Sequence, residues 1–406
     1  MIILIRGIAH AVSTALLWAG LGLLYSHMAS ATDAQPPLPA TPSATLSLAQ
    51  ALVQAQQHPR LAIGAAQLQA AQALQQQAGA LPNPELTLRR EDLGDGDSTV
   101  LAIRQPLEPW VRSARQHTAQ QATYTTQQHN AVAQREVQQA VRQRYAALQM
   151  AQARLQLQQQ LLALAEVTTH IAQRRVEAGS APPVDVLRAQ ATQAQVQMSV
   201  QQAQGNIAQA WLQLQASMGQ ASTNTTVDIP TLTSWVDSVP AISQVAPAQW
   251  WLQYPAVSLA QQQVQQSQAQ LQATHASRFS GLALEASVTE PDQRTANTRL
   301  MLGVSIALPV WNRQQGAMAA AQAEVLAAQR QAQLTQQTIL AHWQQLQLME
   351  SSLMAQLQQW DNTILPPTRE AVLLTQKGYE AGKFDLTAVL DARKALAQAE
   401  QQRLDA

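Results

Sequence analysis

Three aspartates lie close together in the segment DLGDGD, which spans residues 92–97 and has the spacing most suggestive of cation chemistry. Closely spaced carboxylates are typical of calcium loops, in which oxygen ligands alternate along the chain and a glutamate completes the coordination. The segment lacks both the alternating ligands of an EF-hand and its terminal glutamate. Glycine and aspartate at this density are also typical of tight turns. We therefore predict a turn rather than a calcium site.

The other residue types capable of catalysis or metal binding show no known functional spacing. The eight histidines are scattered, without a His-Glu-x-x-His motif or paired helical spacing. The lack of cysteine excludes a disulfide framework, a thiolate metal site and a cysteine nucleophile. The sequence contains no glycine-rich phosphate loop and no nucleophile elbow. It therefore predicts a protein that is not an enzyme and that has neither a cofactor nor a resident metal site.

The composition indicates a helical protein with little net electrostatic field. The 406 residues include 25 basic and 25 acidic side chains, so the formal net charge is zero. A balanced charge offers no general attraction for nucleic acid or anionic lipid. Alanine and glutamine are abundant, and alanine in particular favours helix.

Residues 1–31 have the features of a signal peptide. A basic residue, Arg6, precedes an apolar run that ends near Leu24, and small residues follow at Ala29-Ser30-Ala31. The alternative is a transmembrane anchor, although Gly, Ser and His interrupt the run. We expect the mature chain to begin near Thr32, outside the inner membrane.

The chain carries the same loop twice, 203 positions apart. The segment VEAGSAPPVDVLRAQ begins at Val176, and YEAGKFDLTAVLDAR begins at Tyr379. The same offset relates Ile306 and Pro309 to Ile103 and Pro106. A period near 200 residues is too long for a solenoid unit, so it indicates two duplicated halves.

Each half contains a long helical stretch, from Val111 to Val176 and from Arg313 to Tyr379. At 1.5 Å per residue, each would form a rod on the order of 100 Å long. Pro366-Pro367 is expected to kink or break the second rod. Each rod contains apolar residues spaced by seven, which predict coiled-coil packing. The ladders do not coincide under the 203-residue offset, which indicates two different seams. These ladders are Val141, Leu148, Leu155 and Leu162, and Ile339, Leu346, Leu353 and Trp360.

Glycine ends both rods. Gly179 and Gly382 suit a helix stop, and Pro182-Pro183 suits a helix restart in the first copy. The repeated loop is therefore predicted to be a tight reversal at the tip of each of two helical hairpins.

Two short strands precede each rod. The pairs are PELTLRRE with STVLAIRQPL, and GLALEASVT with TRLMLGVSIAL. In the last of these, apolar residues alternate with small or polar ones from Leu300 to Leu308, the pattern of a strand with one oily face. A soluble core or a bilayer could cover that face. Because four strands cannot close a membrane barrel, a bilayer would require several copies to share one: two would give eight strands, and three would give twelve.

The mature chain resembles the TolC-like outer-membrane efflux proteins, and its motifs are closest to the cobalt–zinc–cadmium resistance branch. The resemblance is carried by LPNPELTLRREDLGDGD, GVSIALPVWNRQQGAMAAAQAEV and GYEAGKFDLTAVLDARKAL. It implies a mostly α fold in which long antiparallel hairpins form an α-barrel across the periplasm. It also implies a homotrimer whose four strands per chain build a shared 12-stranded β-barrel in outer-membrane lipid. The implied partners are a periplasmic adaptor and an inner-membrane RND pump, with no role for nucleic acid.

The resemblance also divides the chain and assigns its cargo. Residues 32–219 would be the first repeat, 220–249 an equatorial insertion, and 250–406 the second repeat. The image of Gly219 would be position 422, roughly four turns beyond Ala406, so we expect either a truncated sequence or an incomplete last helix. The branch implies heavy-metal cations as cargo. The alternatives are a drug or type I secretion duct of the same fold, and a periplasmic coiled-coil adaptor without a pore.

Eight site residues follow from the same resemblance. Asp391 and Asp185 correspond to aperture aspartates, whose carboxylates would attract cations at a constriction; otherwise they are solvated acids near a helix start. The predicted tip contacts for the adaptor are Gly179, Gly382, Lys383 and Phe384. Trp110 and Trp311 are predicted membrane-interface aromatics, with packing at the base of the barrel as the alternative.

Overall fold

The computed structural model describes residues 45–92, 97–220, 229–230, 232, 249–291 and 298–405. The predicted signal peptide, the centre of the DLGDGD turn, most of the 220–249 insertion and the 292–297 hairpin loop lie outside these ranges. Within them, the chain forms eight α-helices and four β-strands. The helices are α1 Leu48–Gln54, α2 Pro59–Ala78, α3 Pro109–Glu177, α4 Pro183–Ser217, α5 Pro255–Ala276, α6 Gln315–Gln359, α7 Leu365–Glu380 and α8 Leu386–Asp405. The strands are β1 Glu85–Asp92, β2 Asp97–Pro106, β3 Ala283–Pro291 and β4 Arg299–Ser305.

The first predicted rod is the uninterrupted helix α3, which is 69 residues long. A proline occupies its first turn, where no intrahelical donor is needed, and the rest of the helix has neither proline nor glycine. The predicted ladder points into a core against α4, since Val141 and Leu148 are fully buried. Tyr145 extends this core and donates a 2.9 Å hydrogen bond from its hydroxyl to the carbonyl of Leu46.

The second rod is interrupted, as the two prolines predicted, but the backbone stays helical. A π-turn, Trp360–Ile364, joins α6 to α7, and the Leu365 N–H donates to the carbonyl of Trp360 five residues earlier. The wider turn shifts the hydrogen-bond register immediately before Pro366 and Pro367, which cannot donate. Helix α7 therefore restarts with proline in its first turn.

The two heptad ladders lie on different kinds of surface. In α6 the only buried residue among those described is Ala321, and the ladder residue Leu346 is 39% exposed. The other ladder residues, Ile339, Leu353 and Trp360, are half-buried, and Trp360 packs against the cluster between α7 and α8. After the π-turn in the sequence, α7 packs against α8. Arg403 on α8 pairs with Asp361 in the π-turn. That pairing holds the pKa of the Asp361 carboxyl below its usual value.

The two predicted strand pairs, β1 with β2 and β3 with β4, are confirmed, and β2 also pairs with β3, so the four strands form one antiparallel sheet in the order β1-β2-β3-β4. The register brings the oily alternate residues of all four strands onto one face, because directly opposed residues share a face. Most of them are largely exposed, including Leu302 at 76%. Two rows cross the sheet on this face: Leu86, Ile103, Ala286 and Leu302, and beside it Leu88, Leu101, Val288 and Leu300.

The opposite face of the sheet is polar and cross-linked. Arg104 on β2 pairs with Glu85 on β1 at 3.3 Å and with Glu285 on β3 at 3.2 Å. Ser305 on β4 donates a 2.9 Å hydrogen bond from its hydroxyl to the Glu285 carboxylate. One polar network therefore connects all four strands.

Strand β4 is shorter than its alternation predicts. It ends at Ser305, although exposed apolar residues continue at Ile306 and Leu308. None of the described helices is both long enough and apolar enough to cross a membrane.

Candidate functional site

The two hairpin tips have the same backbone turn. Gly179 and Gly382 adopt φ values of +68° and +74°, a conformation that only glycine adopts without steric cost. In each tip the N–H after this glycine donates back to a helix carbonyl five residues earlier, at 2.8 Å in both copies. The predicted helix stop is thus confirmed at both positions, and the 203-residue offset extends to individual hydrogen bonds.

The tips pack against each other through one small apolar cluster. Tyr379, at the end of α7, is 1% exposed and lies among residues from both hairpins. The cluster joins α3, α4, α7 and α8, so the tips form a single packed unit. Its buried members are Ile171, Ala172, Ala189, Tyr379, Leu386 and Val389.

Arg175 of the first hairpin contacts Tyr379 of the second. Its Nη1 donates a 2.7 Å hydrogen bond to the Tyr379 carbonyl, and its guanidinium carbon lies 4.3 Å from the centre of the tyrosine ring. Nη2 also donates to the carbonyl of Ser180 at 3.1 Å, within the turn of the first tip. A cation over an aromatic face contributes about 0.5–2 kcal/mol. Arg175 therefore links the two tips through one carbonyl and one ring.

Asp185 lies in the same unit. It is in the first turn of α4, and its residue surface is only 9% exposed. Burial raises the pKa of the Tyr379 hydroxyl, the negative charge of Asp185 raises it further, and Arg175 acts in the opposite direction. The Tyr379 hydroxyl is itself buried and makes no hydrogen bond of normal geometry among the described residues. Within a single protomer, Asp185 is thus a carboxylate packed near the junction of the two tips.

Asp391 has a different environment. It lies on α8, is exposed, and forms no ion pair within the described part of the chain. Among the described residues, no hydrogen bond joins it to Asp185. Of the two predicted aperture residues, Asp391 is the one whose charge is accessible to solvent in the protomer.

The predicted contact residues Lys383 and Phe384 follow the second turn. Both are exposed, and Phe384 retains 49% of its surface. Its ring lies directly over Gly378, where any Cβ would collide with the ring carbons. Gly378 is the image of Arg175 under the repeat offset, so the two tips use this position in opposite ways: one reaches across with a long side chain, and the other leaves room for an aromatic ring.

We expect Gly378→Ala to displace the Phe384 ring and to destabilise the second tip by about 1–3 kcal/mol, the usual cost of overpacking. Thermal unfolding of the purified protein measures the change. Gly205→Ala is the matched control, because a Cβ at this position of α4 meets nothing within 4 Å. It should stabilise the helix by up to about 1 kcal/mol. Equal melting temperatures for the two variants would contradict this account of Gly378.

The two tryptophans lie near the sheet rather than the tips. Trp110 is in the first turn of α3 and is 52% exposed, while Trp311 follows β4 and is 92% exposed. Close by, Arg112 and Arg115 donate to carbonyls at the end of α2, which fastens α2 to the start of α3. The structure places both rings on the surface beside the same end of the sheet.

Sequence reasoning missed two residues of the tip unit. These are Arg175 and Tyr379, which together link the two tips. Tyr379 begins the repeated loop, but its partner is 204 residues away and follows no spacing rule. In the described part of the chain, no three histidine, aspartate or glutamate side chains come together as a metal site.

Comparison with known proteins identifies relatives of the same architecture. The sequence profile of the family described as "Outer membrane efflux protein" matches residues 50–220 and 248–406. The cobalt-zinc-cadmium resistance protein CzcC of Cupriavidus metallidurans is 27% identical over 330 residues, which cover 80% of this chain and 77% of that protein. The family match favours the channel prediction over the adaptor alternative.

Solved structures confirm the predicted fold. The outer-membrane channel OprN superposes with a TM-score of 0.71 at 19% identity, covering 88% of this chain and 86% of OprN. The outer membrane protein VceC of Vibrio cholerae gives 0.71 at 18% identity, over 88% and 92% of the two chains. CusC gives 0.67 at 19% identity, over 88% of each chain.

Proposed function

The chain belongs to the outer membrane efflux protein family, and on this premise we propose that three copies form the exit duct of a tripartite efflux system. The protein is an efflux-channel subunit of the Gram-negative outer membrane that extends into the periplasm. Efflux proteins of this family are ducts, and we propose that this member performs no chemistry on its cargo and binds no cofactor.

The structure of the sheet supports the proposal that several copies share one barrel. One face is apolar on all four strands, the other is polar, and the outer strands β1 and β4 each have one neighbour among the described residues. In hydrocarbon, unpaired backbone groups cost several kcal/mol each, so edges must be closed. Three copies supply twelve strands, with the oily faces toward lipid and the Arg104 network toward the lumen. Trp110 and Trp311 would then lie at the periplasmic interface of the outer membrane, where aromatic rings are favoured.

The helical hairpins form the periplasmic part of the proposed duct, and the tips meet the adaptor and, with it, an inner-membrane RND pump. Lys383 and Phe384 are exposed beside Gly382, which supports a contact surface there, with Gly179 forming the equivalent turn in the first tip. We also propose a cleaved signal peptide at 1–31, repeats at 32–219 and 250–406, and an insertion at 220–249. The family match in two segments supports this division.

We propose that Asp391 lines the aperture, where three symmetry-related carboxylates would favour cations. We expect Asp391→Asn to shift the reversal potential of the channel toward lower cation selectivity in planar bilayers under a salt gradient. Asp185→Asn should change selectivity less, because Asp185 is buried within its own protomer. A larger selectivity change for Asp185→Asn than for Asp391→Asn would reverse the assignment.

Heavy-metal cations are the proposed cargo, with the similarity to the cobalt-zinc-cadmium resistance protein as support. The test is a deletion strain challenged with cobalt, zinc, cadmium, copper, drugs and dyes. We expect increased sensitivity to metals that plasmid-borne wild-type protein restores. Sensitivity to drugs alone would favour the second candidate, a drug or type I secretion duct of the same fold, and unchanged sensitivity to all metals would remove the metal assignment.

A further inference from the structure

A cavity of about 430 Å³ lies between the two hairpins, lined by residues of α3, α4 and α8. Its volume falls within the range of small-molecule sites, roughly 300–1,000 Å³. Much of the lining is apolar, with hydroxyl and amide groups from Thr168, Thr192 and Gln195 among it. The larger apolar residues are Leu161, Leu164, Val196, Leu390 and Leu396.

Arg393 lines this cavity and is incompletely bonded. A guanidinium has five N–H donors. Nη1 donates to the carbonyl of Leu164, and Nη2 donates to the amide oxygen of Gln376 at 3.1 Å. The Nε donor is buried from solvent and has no acceptor among the described residues, and Nη1 and Nη2 each carry a second N–H beyond these two bonds. Burial lowers the pKa of this guanidinium to about 10, so it remains positively charged at neutral pH.

No carboxylate of the described chain pairs with Arg393. Other arginines that contact α8 do have such partners: Arg369 pairs with Glu400, and Arg154 with Asp405. A second cation, Lys394, lines the cavity, and the single lining carboxylate, Asp391, forms no ion pair in the described ranges. The cavity is therefore an apolar space with excess positive charge.

We propose that this cavity binds a small amphipathic organic anion, with its acid group at Arg393 and Lys394 and its apolar body against the leucines. A carboxylate matches the guanidinium donors and supplies the missing negative charge. The site shares Asp391 with the proposed aperture, but the binding of an anion at Arg393 and Lys394 is tested independently of cargo and conductance. Because the ligand would contact α3, α4 and α8 together, binding would stabilise the arrangement in which the two hairpins are joined.

Isothermal titration calorimetry of the purified full-length protein in a neutral detergent tests the proposal. The probes are 4-phenylbutyrate, the uncharged 4-phenyl-1-butanol and the cationic 4-phenylbutylamine, which share one apolar body. We expect saturable binding of one 4-phenylbutyrate per protomer, and at least tenfold weaker binding of the other two. Arg393→Gln should weaken 4-phenylbutyrate at least tenfold, and Arg393→Lys, which keeps the charge, should restore part of the affinity.

Two further variants separate binding from folding. Lys394→Gln changes an exposed lining residue and should weaken 4-phenylbutyrate several-fold without loss of structure. Arg188→Gln removes one positive charge from an exposed position of α4 that does not line the cavity, so it should leave the affinity unchanged. No saturable binding by the parent, equal binding of the alcohol, or parental affinity in Arg393→Gln would each overturn the proposal. These results do not depend on conductance or metal resistance, so the proposed channel function stands or falls separately.

Discussion

Leu302→Arg is expected to prevent stable insertion of the protein into the outer membrane. Leu302 is 76% exposed on the apolar face of β4, in the row that crosses all four strands. If this face meets lipid, an arginine near the bilayer midplane costs about 2–4 kcal/mol, and a trimer carries it three times. The measurement is the amount of heat-modifiable trimer in the outer-membrane fraction, which should fall by more than tenfold.

Met301→Arg is the matched control. Met301 is the preceding residue, is 67% exposed and lies on the opposite face of the same strand. That face is expected to line a water-filled lumen, where an arginine is tolerated, so trimer yield should remain within about twofold of the parent. Equal loss for both variants would indicate general damage to β4, and equal retention would show that the apolar face does not meet lipid.

Tyr379→Ala is expected to separate the two hairpin tips. The substitution empties a fully buried site and removes the ring beneath the Arg175 guanidinium. Loss of a buried aromatic side chain costs about 3–5 kcal/mol. Local opening of the tips should then become at least roughly a hundredfold more frequent. Trypsin cleavage after Arg175, which the closed junction holds against residue 379, measures this opening, and its rate should rise accordingly.

Tyr379→Phe isolates the contribution of the hydroxyl. The hydroxyl is buried and makes no hydrogen bond of normal geometry among the described residues, so its removal should be neutral or slightly stabilising. The ring, the apolar cluster and the contact with Arg175 all remain. If Tyr379→Phe opened the tips as much as Tyr379→Ala, the hydroxyl would hold the junction through a bond to Asp185.

Residues with local or periodic signals were predictable. Gly179 and Gly382 indicated the tips because helices commonly end in a left-handed backbone conformation, and glycine is the residue that usually adopts it. The alternation around Leu302 indicated a strand with one oily face, and Pro366-Pro367 indicated the interruption of the second rod. The form of that interruption, a π-turn from Trp360 to Ile364, was not predictable, since it depends on how α7 packs against α8.

The candidate site was only partly predictable. Asp185 and Asp391 were both predicted as aperture residues, yet one is buried against the other hairpin and one is exposed. Burial depends on what the neighbouring helix presents, and for Asp185 the neighbour that matters is Tyr379, on the second hairpin. No spacing rule connects residues that far apart.

The sequence by itself determined the duplication, the two long helical rods, the four strands, the turns at the two helical tips and the oily face of the sheet, because each of these follows from short-range preferences repeated along the chain. Tertiary structure alone decided which carboxylate is exposed, that Arg175 reaches Tyr379, and that Arg393 lies beside a cavity with no carboxylate paired to it in the described ranges. The physical reason is that charge pairing, burial and cavity shape are set by side chains brought together from distant parts of the chain when the two hairpins pack.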